Sequence, residues 1–301
     1  MKLDIGKINE IGNIDFLAKQ LVEGFVTGLH KSPYHGFSVE FAEHRLYNNG
    51  ESTRHIDWKV FAKTDKLFTK RYEEETNLRC QIIIDNSSSM HYPLPSRGKI
   101  GFSIVAAGAL AYLLQRQRDA VGICSFSNEL EVSTEIKSTT THLNKLITEL
   151  QTMFDQKSES KTTNVAKILH EIAEKTYRRS LIIIFSDMFD NTTELDEIFA
   201  GLQHMKHNKH EVLLFHVTDK ATEFEFEFED RPHEFIDLES GEKLKLQPAD
   251  VKEHFKTQAT AFYHNLKIRC AQLKIDFIEA DINKDYNEIL RAYLIKRSKM
   301  R

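Results

Sequence analysis

The sequence is poor in cysteine, and it shows neither a long apolar run nor a targeting segment. Cys80, Cys124 and Cys270 lie far apart in apolar surroundings, so they supply no zinc-site spacing and no disulfide framework, which fits a reducing compartment. No apolar run reaches the roughly 18 residues that a membrane helix needs. Met1 to Ile5 lack the basic region and apolar core of a signal peptide. These absences predict a cytoplasmic protein without a membrane span.

A strong net charge is missing as well. The sequence has 41 basic and 45 acidic residues, a formal charge of −4, so no global basic field predicts nucleic acid as a partner. It also lacks the Gly-x-x-x-x-Gly-Lys-Ser/Thr loop of nucleotide-binding ATPases and the Gly-x-Ser-x-Gly elbow of many hydrolases. A hydrophobic content of 41% is ample for a core of one large domain or two modest ones.

The residues most typical of a functional site follow the apolar run Ile82–Ile84, in a polar loop. This is the pattern of a buried parallel strand that ends at a functional loop. The loop has the form Asp-x-Ser-x-Ser, with Asp85, Ser87 and Ser89 at alternate positions. Hydroxyl and carboxylate oxygens suit Mg²⁺ or Mn²⁺ better than zinc. An ordinary turn and helix cap would use the same residue types.

Two later segments strengthen the metal interpretation. Thr163 lies in a polar loop before a predicted helix, and Thr162 is its possible substitute. Leu181–Phe185 repeats the apolar run and leads to Asp187. Because the carboxyl ends of parallel strands share one edge of a sheet, these oxygens are expected to converge with Asp85.

These motifs resemble the von Willebrand factor A fold with its metal-ion-dependent adhesion site. The resemblance implies that Ser87, Ser89 and Thr163 are direct ligands and that Asp85 and Asp187 are the carboxylates. It also implies that an acidic group of a partner fills an open position on the metal.

A second resemblance, to the domain-of-unknown-function 58 family, covers nearly the whole chain. It rests on Phe37–Trp58, Ala62–Thr64, Leu67–Phe68, Glu73–Glu75 and Phe235–Glu242. What is known of related families implies an adaptor role with a MoxR-type AAA+ ATPase that acts on a client protein.

The order of apolar patterns predicts an α/β protein with a doubly wound, mostly parallel sheet and Rossmann-type layers. We predict that residues 1–78 form an N-terminal helix and an irregular, β-rich cap, and that residues 79–301 form the von Willebrand factor A-like domain. Glu223–Asp230 alternates Glu and Phe, which predicts an edge strand with an acidic face.

Arg45 and Arg54 lie among acidic and aromatic residues of the cap segment. They either pair with nearby carboxylates to fix the cap or form a docking patch for an acidic partner.

Two functions follow. The first is a non-enzymatic, metal-dependent protein-interaction module. The second is a Mg²⁺-dependent hydrolase or phosphotransferase with Asp85 or Ser87 as nucleophile. The second carboxylate of an Asp-x-Asp nucleophile loop is missing, which favours the first.

Overall fold

The computed structural model describes residues 13–30, 44–46, 58–64, 66–70, 78–93, 98–155, 165–188, 195–238 and 241–299. The chain divides into two compact units. One consists of the chain up to Val26 together with Leu78 onward, and the other is Thr27–Asn77. The predicted division at residues 78 and 79 places the N-terminal helix with the cap, whereas the structure groups most of that helix with the sheet.

The described strands are β1 (His44–Leu46), β2 (Phe68–Lys70), β3 (Arg79–Asp85), β4 (Ala120–Phe126), β5 (Leu130–Ser133), β6 (Leu181–Ser186), β7 (Glu211–Thr218), β8 (His233–Ile236), β9 (Lys243–Leu246) and β10 (Asp276–Asp281). The described α-helices are α1 (Ile14–His30), α2 (Trp58–Thr64), α3 (Gly98–Arg116), α4 (Thr140–Asp155), α5 (Val165–Lys175), α6 (Leu195–His207), α7 (Lys220–Glu223), α8 (Pro248–Gln272) and α9 (Asn287–Lys299).

The larger unit is built on a six-stranded sheet of order β10-β7-β6-β3-β4-β5. All neighbours are parallel except the edge strand β5, which runs antiparallel to β4. The central strands β3 and β6 are buried on both faces, which is why their sequences are continuous apolar runs rather than alternating ones. The predicted fold class is therefore confirmed.

Helix α1 packs directly on the helices that cover the sheet. Ile14 and Ala18 are fully buried. A Cβ added at Gly108 of α3 would lie 3.3 Å from the Ala18 Cβ, so glycine permits this close approach. The amide of Ile14 also donates to Gln151 Oε1 of α4 at 2.9 Å. These contacts explain why the helix belongs to the sheet unit.

Helix α3 is, among the described helices, the one long and apolar enough to cross a membrane by length and composition. This finding qualifies the prediction from the sequence that the protein has no segment long and apolar enough to span a membrane. Since 89% of its apolar window is buried inside the protein, the helix packs here as a core element against β3 and β4.

The smaller unit contains α2 and a two-stranded ladder. β1 pairs antiparallel with β2, with Arg45 opposite Thr69. Among the described residues of this segment, β1 and β2 are short strands of the kind expected in an irregular, β-rich cap, whereas α2 is helical.

Outside the six-stranded sheet, β8 and β9 pair antiparallel. The edge strand predicted over Glu223–Asp230 is wrong, because Glu223 ends α7 and the next residues form no strand. Phe226 has a φ of 49°, which interrupts an extended backbone, and its ring is buried against Phe255.

Candidate metal site at the carboxyl edge of the sheet

The candidate site lies where β3 and β6 end side by side. From β3 the chain continues to β4 and β5 on one side and then returns to β6 on the other. Such a reversal of strand order opens a crevice at the carboxyl ends, where ligands of α/β sheets bind. Asp85 is the last residue of β3, and Asp187 follows β6 directly.

Asp85 is 2% exposed, and neutral donors contact both of its carboxylate oxygens. Oδ1 accepts a hydrogen bond from the Ser87 amide at 2.9 Å. Oδ2 accepts one from Ser186 Oγ at 2.6 Å. Burial, and next the nearby charge of Asp187, raise the pKa of Asp85 to about 6. In the protein alone, this carboxylate is therefore short of positive charge.

The two predicted serine ligands face one another. Ser87 Oγ and Ser89 Oγ lie 3.0 Å apart. A short 3-10 helix, Ser88–His91, shapes this loop, and its first turn is closed by a bond from the Met90 amide to the Ser87 carbonyl at 3.1 Å. The tight turn is what brings two hydroxyls from alternate positions together.

Asn86 anchors the same loop to β4 and β5. Its amide donates to the Phe126 carbonyl at 2.7 Å, and its Nδ2 donates to Glu131 Oε2 at 2.7 Å. His91 Nε2 lies 3.2 Å from its Oδ1. These contacts hold Asn86 aside from the serine hydroxyls and fix the loop in place.

Asp187 lies in a different electrostatic environment. It is 1% exposed, and its Oδ2 accepts a hydrogen bond from Lys99 Nζ at 2.7 Å. The same ammonium donates to Glu223 Oε1 of α7. Burial lowers the pKa of Lys99, but Asp187 and Glu223 outweigh it, so the pKa is raised and the lysine stays charged. Burial raises the pKa of Glu223.

The backbone holds Lys99 at this position. Gly98 has a φ of 54°, and a Cβ there would lie 2.3 Å from the Tyr92 carbonyl oxygen. Only glycine fits this turn without strain. The Lys99 amide then donates to the same Tyr92 oxygen at 2.9 Å, and α3 begins at Gly98.

His216 of β7 supports Asp187 from the neighbouring strand. Burial lowers the pKa of His216 to about 4, so the ring is neutral at pH 7. Its Nε2 lies 2.9 Å from the Asp187 carbonyl oxygen. Because a carbonyl only accepts, Nε2 carries the proton and donates.

Of the predicted site residues, the structure brings together Asp85, Ser87, Ser89 and Asp187. Thr163, with its alternative Thr162, and Arg54 lie outside the described residues. Arg45 is placed by its backbone in β1. Whether these residues bind metal or a partner stays a prediction.

Sequence reasoning missed Lys99, Glu223 and Ser186. Lys99 had one available signal, since it is the only charged residue between Gly98 and Gln115 of an apolar helix. A lysine in a fully buried run requires an acidic partner. No local pattern in the sequence indicates that this partner is Asp187.

The donor set fits a hard divalent cation. Ser87, Ser89 and Asp85 offer oxygen ligands of the kind that Mg²⁺ and Mn²⁺ accept. Three buried or half-buried carboxylates, Asp85, Asp187 and Glu223, against the ammonium of Lys99 leave a formal charge of about −2 in the cluster. A divalent cation would neutralise that charge.

The strand order and the antiparallel edge strand are those of a von Willebrand factor A-like α/β domain. Residues 43–264 match the family described as protein of unknown function DUF58. The chain belongs to that family, which confirms the resemblance noted in the sequence.

Individual relatives are distant. An uncharacterized protein of Mycobacterium tuberculosis is 22% identical over 206 residues, which cover 68% of this chain and 63% of the relative. The chain thus spans less than two thirds of the length of the curated relatives that it matches.

Two solved structures are similar at low identity. An aerotolerance-related membrane protein of Bacteroides fragilis has a TM-score of 0.45 at 14% identity, covering 74% of this chain and 99% of that one. The SpRpn10 VWA domain has a TM-score of 0.40 at 13% identity, covering 71% of this chain and 94% of that one.

Proposed function

We propose that this protein is a non-enzymatic, metal-dependent protein-interaction module. The observation that carries the proposal is the buried cluster at the carboxyl edge of the sheet, where two facing serine hydroxyls adjoin carboxylates with an excess of negative charge. Ser87, Ser89 and Asp85 would hold Mg²⁺ or Mn²⁺, with Thr163 as a further ligand and Asp187 as the second carboxylate.

A cation bound by neutral hydroxyls keeps much of its positive charge and can accept another anionic ligand. Because Ser87 and Ser89 are neutral, the positive charge of the metal has to be balanced by carboxylates. A client protein with an exposed Asp or Glu side chain is therefore the partner that this chemistry favours.

The second part of the proposal is that the module acts with a MoxR-type AAA+ ATPase on that client. Family resemblance supports this part, and in this proposal the ATPase is a separate chain, since the sequence has no phosphate-binding ATPase loop of its own. Arg45 and Arg54 are the proposed contact for an acidic surface of the partner.

The enzymatic alternative has less support from the described residues. As nucleophile, Asp85 would first have to release the donors that contact both its oxygens. Ser87 would need a base, and the side chain that its hydroxyl contacts is Ser89, which offers only another hydroxyl. His216, which is buried, donates to a carbonyl and is not arranged as that base.

The test is association measured with and without metal. The purified protein is mixed with a MoxR-type ATPase from the same organism in Mg²⁺, in Mn²⁺ and in EDTA, and complex formation is followed by sedimentation. We expect a complex that depends on metal and is lost in a Ser87→Ala, Ser89→Ala double variant.

Ser88→Ala is the matched control, because Ser88 is a serine of the same loop that the proposal does not assign to the metal. It should leave association unchanged. A complex that forms equally well in EDTA, or one that the double variant retains, would contradict the proposal.

A further inference from the structure

Lys99 is a buried cation within reach of the candidate metal site. Its Nζ bonds both Asp187, at 2.7 Å, and Glu223, and the side chain is 1% exposed. The structure thus places a permanent positive charge on a carboxylate that the proposed metal also uses. Two cations that share one buried carboxylate repel one another strongly, because little water is present to screen them.

We infer that Lys99 is a positioning residue that sets the metal affinity of this site, and that Glu223 determines how strongly Lys99 opposes the metal. The inference rests on the proposed function, since it concerns the same metal. It assigns a role to two residues that donate nothing to the metal themselves.

The contacts show how Lys99 can divide its hydrogen bonds between Asp187 and Glu223. Lys99 has two acceptors, so it can keep its bond to Glu223 when Asp187 turns toward a metal. Glu223 is itself fixed, because its Oε2 accepts a hydrogen bond from the Asp219 amide at 2.8 Å. Asp219 is held in turn by Asn283, whose Nδ2 donates to Asp219 Oδ1 at 2.8 Å. Glu223 is thus a stable second acceptor for the lysine.

Formal charge gives a clear order of affinities. The cluster of Asp85, Asp187, Glu223 and Lys99 carries about −2, and a Lys99→Met change makes it about −3. Glu223→Gln makes it about −1, and the double variant restores about −2. The affinity for the metal should therefore be highest in Lys99→Met and lowest in Glu223→Gln. The wild type and the double variant should lie between them, with similar affinities.

The experiment is calorimetric titration of each purified protein with Mg²⁺, together with the Mg²⁺-induced change in melting temperature. We expect Glu223→Gln to weaken Mg²⁺ binding by at least about tenfold, since one unit of charge changes in a poorly screened site. The double variant should recover most of that loss. If Lys99→Met fails to fold without metal, the comparison of Glu223→Gln with the double variant still decides the question.

Lys296 provides a matched control. Its Nζ also bonds two carboxylates, Glu211 at 2.7 Å and Asp276 at 2.8 Å. These two residues begin β7 and β10, so this cluster lies at the amino ends of the strands, away from the candidate site. Lys296→Met and Glu211→Gln should lower stability equally with and without Mg²⁺ and leave the dissociation constant unchanged.

The outcomes separate the two claims. If wild type binds Mg²⁺ through Asp85 but Glu223→Gln binds it equally well, the role of Lys99 is overturned and the metal module stands. If Lys99→Met folds and binds Mg²⁺ more weakly than wild type, the role is likewise overturned. If wild type does not bind Mg²⁺, both claims fail.

Discussion

The ends of β3 and β6 look alike in sequence but differ in how their carboxylates are satisfied. Each strand is a run of isoleucines that leads to an aspartate. Asp85 accepts hydrogen bonds from an amide and a hydroxyl, whereas Asp187 is paired with the ammonium of Lys99. The comparison shows that a strand-end aspartate acquires its electrostatic character from partners that are distant in the sequence.

The difference gives the two loops different roles. Asp187 already has a counterion, the ammonium of Lys99 from α3. Asp85 has no such counterion, and its pKa is raised. A cation bound by Asp85 and the two serines would therefore neutralise more uncompensated negative charge here than at Asp187. Three substitutions test this contrast.

The largest effect is expected for Lys99→Met in EDTA. Removal of the ammonium leaves Asp187 and Glu223 without their counterion, and breaking a buried ion pair in this way typically costs about 3–5 kcal/mol. Urea unfolding should show that loss of unfolding free energy, partly recovered in Mg²⁺. A loss below about 1 kcal/mol would mean that Asp187 does not depend on the lysine.

Asp85→Asn should have the opposite effect and raise the free energy of unfolding of the metal-free protein. At pH 7 the native protein must ionise a carboxyl whose pKa is about 6 rather than 3.8. Two pKa units correspond to about 3 kcal/mol, so the amide should stabilise the metal-free protein by up to that amount. The same variant should lose all stabilisation by Mg²⁺, and thermal unfolding with and without Mg²⁺ measures both effects. Destabilisation of the metal-free protein would show that Asp85 already has sufficient positive charge around it.

The advantage of Asp85→Asn should also depend on pH. Because the folded pKa of Asp85 is raised, the penalty is fully present above pH 6 and is lost as the pH falls toward 4, when the native carboxyl takes up its proton. The difference in unfolding free energy between variant and wild type should therefore shrink from pH 7 to pH 4. A difference that is constant over that range would rule out the raised pKa.

Ser186→Ala should have the smallest effect. It removes the hydroxyl that joins the end of β6 to Asp85 at 2.6 Å, and hydrogen bonds to charged groups are worth about 1.5–3 kcal/mol. The loss of stability should be greater at pH 7 than at pH 5, because the bond stabilises the ionised carboxylate. Equal losses at the two pH values would indicate that the serine acts only through the Met188 amide, which donates to its Oγ at 2.9 Å.

Local patterns were sufficient to predict most of the fold. The apolar runs before Asp85 and before Asp187 are both buried strands in the structure, as predicted. These elements are specified by apolar runs and by the order of strands and helices, which sequence displays directly. The neighbourhood of Asp85 and Asp187 followed from the rule that parallel strands share a carboxyl edge.

The ion pairs could not be predicted in the same way. Lys99 is 88 positions from Asp187 and 124 from Glu223, so no local pattern links them. The Glu-Phe repeat predicts an alternating strand that begins at Glu223, whereas Glu223 ends α7 in the structure. The left-handed backbone of Phe226 and the burial of its ring are tertiary features that override the repeat.

The most direct test of the account is a calorimetric titration of the purified protein with Mg²⁺, run beside Asp85→Asn and Ser88→Ala. The account predicts saturable binding in wild type and Ser88→Ala and none in Asp85→Asn. Absence of binding in wild type, or equal binding in all three proteins, would contradict the assignment of the Asp85 loop as a metal site.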